Sequence, residues 1–243
     1  MALLLDLPNE LLFQITIYLT HHDIFHFLRA NRRLARLLQT AQFDHLRRFR
    51  SVDHGRRALF HAAAREDTAT VAELVRIGAH KFPGSRIHFL NSAIQNWCSA
   101  KTISIFLRCG IEADGTDTRG RTPLTIAARK GRADVVEVLL KVEGVRVNAQ
   151  CHNGKTPFML AALAGRTDVV RLLLEDERVD VGLRDTMPNS CTVLWKAVEI
   201  GHRKVIKLLL DDGRSDPNFL SNGQTPLHCA IQRGHPEVVL LLL

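Results

Sequence analysis

A short Thr-Pro-Leu phrase that returns at a near-constant interval constrains this chain more than any single residue. Thr122-Pro123-Leu124 recurs as Thr156-Pro157-Phe158, in degenerate form as Thr192-Val193-Leu194, and again as Thr225-Pro226-Leu227. A glycine follows nine residues after each threonine, at Gly131, Gly165, Gly201 and Gly234. The threonines stand 34, 36 and 33 residues apart, a period at which helical solenoids are built by stacking one supersecondary unit on the next. A chain of this kind offers a long binding face in place of a catalytic pocket.

The chemistry of one unit accounts for the spacing. Thr122 caps a helix start with its hydroxyl, and Pro123, which has no amide hydrogen to leave unpaired, fits the first helical position. Thr156 and Thr225 repeat the arrangement. Ala127 and Ala128 keep the first helix thin, and Gly131 stands where a helix end favours a left-handed residue. The second helix carries Val135, Val136, Val138, Leu139 and Leu140, repeated as Val169, Val170, Leu172, Leu173 and Leu174, then as Val205, Ile206, Leu208, Leu209 and Leu210. Neither helix buries this face alone, so neighbouring units must stack.

The pattern closely resembles the ankyrin repeat, a turn or hairpin followed by two antiparallel helices, and the match is strong over 117–243. Two weaker copies precede it. Leu59, Ala62, Ala63, Val71, Leu74 and the Gly78-Ala79 pair fit one, and Leu90, Ala93, Ile103, Phe106 and Leu107 fit the other, with the Thr-Pro and central Gly positions lost. The expected array runs over 54–243 in about six units, at about 56–82, 86–114, 117–149, 151–183, 185–219 and 221–243, the last incomplete. Around Pro188 the turn carries about two extra residues.

Ahead of this array the sequence Leu5-Asp6-Leu7-Pro8-Asn9-Glu10-Leu11-Leu12 opens a segment with no such period, read as three short helices. Pro8 suits a first helical turn, Glu10 sits near the positive end of the helix dipole, and Leu11, Ile15, Tyr18 and Leu19 recur on one face. Thr20 and Asp23 form a short-armed capping box before Ile24, Phe27 and Leu28. Asn31 restarts a helix with Leu34, Leu37 and Leu38.

This segment, residues 3–50 with its linker helix, resembles an F-box through Leu7, Pro8, Glu10, Leu11, Ile15, Leu19, Asp23, Ile24, Phe27, Leu28, Asn31, Arg32, Arg33 and Leu37. Leu34 stands where many members have Trp. The resemblance implies docking on a Skp-type adaptor of a cullin-RING ubiquitin ligase through Leu7, Pro8, Leu11, Ile15, Leu19, Ile24, Phe27 and Leu28, with the repeats holding a client. The chain is then an all-α protein, a helical solenoid of about six ankyrin repeats preceded by a small three-helix F-box, and a substrate-recognition subunit of an SCF-type ligase. The alternative is a non-ligase ankyrin scaffold or regulator whose N-terminal helices only cap the first repeat, since solenoid ends need covering.

Composition narrows the remaining classes. With 46% apolar and 24% charged residues and few aromatics, 243 residues suffice for an extended buried interior of Leu, Val and Ala. The opening Met1-Ala2-Leu3-Leu4-Leu5 is too short for a secretory signal, and no apolar run reaches a membrane span. Five cysteines without Cys-x-x-Cys spacing read as reduced thiols, pointing to the cytosol or nucleus. His22 and His26 share a helical face with no third ligand nearby, so no metal is expected. Asp6, Glu10 and Asp23 are helix-start carboxylates with no nucleophile near them. There is no phosphate loop, nucleophile elbow or His-Glu-x-x-His run, so neither catalytic residues nor cofactors are expected.

The net charge of +8 concentrates at Arg29, Arg32, Arg33, Arg36, Arg47, Arg48 and Arg50, read as a solvated helix face. The lack of aromatic interleaving disfavours nucleic acid. Ankyrin repeats usually recognise partners through turn tips and exposed first-helix positions, the concave side. By that resemblance the client-binding candidates are Thr118, Arg119, Arg121, Arg129 and Lys130, then His152, Asn153, Lys155 and Leu163. Asn189, Glu199 and Ile200, then Asn222, Gln224, Gln232 and Arg233, continue the face. Its first stretch is basic and would steer an acidic client segment, with Leu163 and Ile200 as apolar contacts. Val238 to Leu243 are expected to lie uncovered by a further unit, as in a shortened product or an end that meets a partner.

Overall fold

The computed structural model describes residues 52–76, 78, 80, 88–186, 191–221 and 223–243. The proposed adaptor-binding set from Leu7 to Leu28 lies outside the described residues, as do Asn189, Asn222 and the turn at Pro188. Twelve helices and no strand occur among the described residues: α1 Val52–Ala64, α2 Thr68–Arg76, α3 Phe89–Gln95, α4 Ala100–Arg108, α5 Pro123–Lys130, α6 Ala133–Leu140, α7 Pro157–Leu163, α8 Thr167–Leu174, α9 Val193–Ile200, α10 Arg203–Asp212, α11 Pro226–Gln232 and α12 Pro236–Leu242. A lone antiparallel bridge joins Ser221 and Gln224. They fall into two compact parts, one before residue 85 and one from there to Leu243.

In the first part α1 packs on α2 through Leu59, Ala62, Ala63, Val71 and Leu74, all buried. Asp67 starts α2 by accepting the Thr70 N–H at 3.0 Å. In the second part the first helices α3, α5, α7, α9 and α11 pack in succession, and the second helices α4, α6, α8, α10 and α12 form a parallel row behind them.

Threonine caps set the starts of the first helices from α5 onward. The Thr122 hydroxyl accepts from Thr125 N–H at 3.2 Å, and Thr156 accepts from Met159 N–H at the same distance. Thr192 caps α9 through Trp195 N–H at 3.3 Å although Val193 replaces the proline, so the hydroxyl decides where the helix begins. In the second helices Val135, Val136 and Leu139 are buried while Val138 and Leu140 are half-buried, and Val169 to Leu174 and Val205 to Leu210 repeat this division. The i, i+1, i+4 subset therefore makes the interior seam.

Between paired helices the chain turns through a left-handed residue. Gly131, Gly165 and Gly201 take φ of 78°, 66° and 82°. A Cβ at these glycines would meet Arg166, His202 and His235 of the next repeat at 2.7, 3.0 and 2.8 Å, so stacking adds a second reason for glycine there. The two earlier pairs keep the corner without the glycine: Glu66 and Trp97 occupy it at φ of 61° and 60°. A bulky left-handed residue costs about 1–2 kcal/mol. At Trp97 two cations offset part of that cost, Lys130 Nζ lying 4.8 Å and Arg132 Cζ 5.4 Å from the ring centroid.

Within the second part, repeats also reach back to their predecessors. At the corners Arg132 Nη2 donates to Cys98 C=O at 2.8 Å, Arg166 Nε to Arg129 C=O at 3.3 Å, and His202 Nε2 lies 3.0 Å from Leu163 C=O. Past the second helices, Arg178 Nη2 donates to Leu140 C=O at 2.8 Å and Arg214 Nη2 to Leu174 C=O at 2.7 Å. Leu140 and Leu174 end α6 and α8, so both arginines satisfy carbonyls that a helix terminus leaves open and sit at the negative end of its dipole.

Candidate functional site

The face that carries the expected client-binding positions is built from the turns that precede each first helix. In the turn before α5, Asp117 accepts from Arg119 N–H and Arg121 N–H, each at 2.9 Å, and its second oxygen accepts from Arg121 Nε at 2.9 Å. Burial works to raise the Asp117 carboxyl, but the Arg121 guanidinium and the Arg121 and Arg119 amides outweigh it and hold the group below the usual carboxylate range. From the preceding repeat, the buried Asn91 amide donates to Gly115 C=O and Arg121 C=O, both at 3.0 Å. From the following repeat, His152 N–H donates to Arg119 C=O at 3.0 Å.

Consecutive turns are tied in the same way further along. Thr186 N–H donates to Asn153 C=O at 3.4 Å, and Gly154, at φ 69°, lets that backbone pass, since a Cβ there would lie 2.4 Å from Thr186 N. Asp117 N–H pairs with Arg121 C=O, and Cys151 N–H with Lys155 C=O, both at 3.1 Å, so the two turns share one backbone plan. Their side chains differ. Arg121 meets the carboxylate of Asp117, whereas Lys155 has Cys151 in that place.

Between these turns and α7 lies a cleft of about 350 Å³ lined by Arg119, Arg121, Arg129, Cys151, His152, Asn153, Lys155 and Leu160. Six of the candidates named from sequence thus line one concavity: Arg119, Arg121, Arg129, His152, Asn153 and Lys155. Arg119, Arg129 and Lys155 make no ion pair with any described residue. Arg121 is different: its side chain is 17% exposed and bound to Asp117, which corrects its reading as one more exposed charge on this face.

The other candidates lie elsewhere. Thr118 is exposed on the turn but does not line the cleft. Lys130 turns toward the preceding repeat, its Nζ donating to Gln95 C=O at 3.3 Å. Leu163 is half-buried at the end of α7, and Ile200 is 44% exposed at the end of α9. Glu199 is committed internally, accepting from Lys196 Nζ at 3.1 Å and from Arg233 Nη2 at 2.6 Å. Gln224 serves the Ser221 bridge through its backbone, and Gln232 is exposed on α11.

Sequence reading missed Leu160 and Cys151 in the cleft wall and Asn91 and Asp117 as the groups that hold it. Asp117 carried a signal: a carboxylate two and four residues before arginines in a turn is an Asx-turn pattern. Asn91 carried none, because its partners lie 24 and 30 residues away.

Among the described residues no cluster of three or more His, Cys, Asp or Glu side chains is arranged to hold a metal ion, and no helix is long and apolar enough to cross a membrane. The expectation about Val238 to Leu243 needs one adjustment: Val238 is buried, while Leu240 and Leu243 are 76% and 87% exposed.

Comparison with known proteins agrees with the architecture. No curated protein matches the sequence. Among solved structures, the crystal structure of EF0377, an ankyrin repeat protein, is similar at 26% identity with a TM-score of 0.65, over 76% of this chain and 96% of that one. A family model of ankyrin repeats in three copies matches residues 90–185 and again 177–243. Those residues make up more than half of the sequence, and the chain belongs to the ankyrin-repeat family, whose repeats indicate a role in binding other proteins.

Proposed function

We propose that this protein holds a client on the face formed by its turns and first helices, and that residues 3–50 couple the client to a ubiquitin ligase by docking on a Skp-type adaptor and its cullin. The observation that carries the first half is the cleft. Arg119, Arg129 and Lys155 come from two turns and a helix end, converge on one concavity, and find no carboxylate partner among the described residues. Like charges gathered without counter-charges cost free energy, and a partner that supplies the counter-charge recovers it. The half-buried Leu163 and the exposed Ile200 add apolar contact on the following first helices.

The second half rests on the Leu7-Pro8 opening, the spaced Leu11, Ile15 and Leu19, and the order of the modules, with a docking segment before a recognition array. A pure cap would give no reason for an apolar Leu7-Pro8 pair ahead of the first helix. No step in this role needs a catalytic residue or a cofactor in the chain.

Affinity purification from cells tests both halves. The native chain should recover adaptor, cullin and client. Replacing Leu7 and Pro8 by Ser should remove adaptor and cullin and leave the client. Replacing Arg119, Arg129 and Lys155 by Glu should do the reverse, with Arg121 spared because Asp117 holds it. If adaptor and cullin are missing from the native chain, the ligase role fails and the scaffold alternative takes its place.

A further inference from the structure

The repeats themselves display what the cleft lacks. In the turn before α5 a cation at the last turn position, Arg121, is neutralised by the carboxylate five residues before Thr122, Asp117, with Nη2 to Oδ2 at 2.7 Å. In the turn before α7 the backbone plan is the same, the cation is Lys155, and the residue five before Thr156 is Cys151. Cys151 is half-buried and lines the cleft beside Lys155. A thiol there offers no counter-charge equivalent to the Asp117 carboxylate, so Lys155 has no ion-pair partner among the described residues, and Arg119 and Arg129 add to it.

Two repeats on, the same face shows how a carboxylate settles between cations of adjacent first helices. Glu199 of α9 lies between Lys196 on its own helix, at 3.1 Å, and Arg233 just past α11, at 2.6 Å. Arg129 holds the α5 position that Glu199 holds in α9, seven residues after the capping threonine. Among the described residues the chain thus pairs Lys196 and Arg233 with Glu199 and leaves Arg129 and Lys155 without such a partner.

We infer that the cleft is one carboxylate short by construction, and that its ligand is an extended acidic segment of a partner protein whose Asp or Glu side chains take the place an aspartate would hold at position 151. Charge complementarity supports this class of ligand. Cations from three separate stretches of backbone surround the volume, and the nearby Asp117 carboxylate is already bound by Arg121. The Leu160 wall gives the segment's methylene groups an apolar surface, as fits a carboxylate on a side-chain stem. This inference rests on the turn and first-helix face being the client surface.

Fluorescein-labelled hexaglutamate, with hexaglutamine as the uncharged control, tests it by anisotropy on the full chain. Hexaglutamate should bind and hexaglutamine should not. Cys151→Asp builds the missing counter-charge into the protein, so it should weaken hexaglutamate binding by about ten-fold, and Lys155→Gln should do the same. Cys151→Ser keeps the site neutral and should stay within about two-fold of the native chain, as should Lys204→Gln with Lys207→Gln, which removes exposed charge from α10. Circular dichroism checks the fold of each variant, and Lys155→Gln carries the test if Cys151→Asp does not fold.

The inference falls if Cys151→Asp and Lys155→Gln both bind like the native chain, or if the α10 pair weakens binding equally. It also falls if duplex DNA outcompetes hexaglutamate in a Lys155-dependent way, since the cleft would then read polyphosphate. A photo-crosslinker at Leu163 separates this failure from that of the underlying reading: a client still trapped there leaves the face intact and removes only the carboxylate.

Discussion

Arginine does two different jobs on the two sides of the repeat stack from α3 to α12. Behind the second helices, Arg178 and Arg214 are bound to Asp176 and Asp212 at 2.6 and 2.8 Å and reach back to carbonyls of the preceding repeat. On the turn face, the Arg119 and Arg129 side chains meet neither a carboxylate nor a carbonyl among the described residues. The same residue type is spent on holding repeats together in one place and left open in the other. The proposed recognition face is therefore separable from the contacts that hold the fold, and substitutions can address each alone.

The largest effect should come from the seam that both sides share. Leu173 is fully buried on α8, which packs between α6 and α10, and Leu173→Ala should cost about 2–5 kcal/mol through cavity formation, read by urea denaturation. It should lower client binding only in proportion to the population unfolded. A binding loss at full folding would join what the comparison separates.

Next in size is the stapling pair. Arg178→Ala with Arg214→Ala should cost about 1–2 kcal/mol, since both side chains are partly solvated, and should leave hexaglutamate binding unchanged. The contrast also has a dependence on pH. Hydrogen bonds from Arg132, Arg178 and Arg214 hold the Asp134, Asp176 and Asp212 carboxyls below their ordinary range, and Asp117 is depressed as well. A depressed carboxylate contributes stability that is fully present above its unfolded pKa and lost as pH falls through the folded value. Stability should hold from neutrality to about pH 5 and fall below about pH 4, which thermal melts across that range would record. Less loss below pH 4 is expected once Arg178 and Arg214 are gone.

The smallest effect on stability should come from the cleft. Arg119→Gln with Arg129→Gln should change it by less than about 0.5 kcal/mol while reducing hexaglutamate binding, the reverse of the stapling pair. A stability loss comparable to that of the stapling pair would mean that these arginines also serve the fold.

The scaffold was legible in the sequence because its causes are local and periodic. Thr122, Thr156 and Thr225 cap helices as their spacing predicts, and the Val and Leu seam of the second helices is buried where the 3.6-residue period places it. The corners of the earlier pairs were not legible. Glu66 and Trp97 adopt a backbone conformation that sequence reading assigns to glycine, and the repeat after Trp97 supplies the Lys130 and Arg132 contacts that offset it. At the site, the basic residues could be named one by one, because turn tips and exposed helix positions follow from the repeat register. Which of them are free could not. Arg119 and Arg121 look alike in sequence, and only the position of Asp117 separates the bound guanidinium from the open one.

The central claim is that partners are held on the turn and first-helix face rather than on the second helices. A photo-crosslinking residue placed at Ile200 in one variant and at Lys207 in another, each in the full chain within cells, tests it most directly. The account predicts a discrete crosslinked client from position 200, lost when Arg119, Arg129 and Lys155 are replaced by Glu, and none from position 207. The same client trapped from position 207 and absent from position 200 would contradict it.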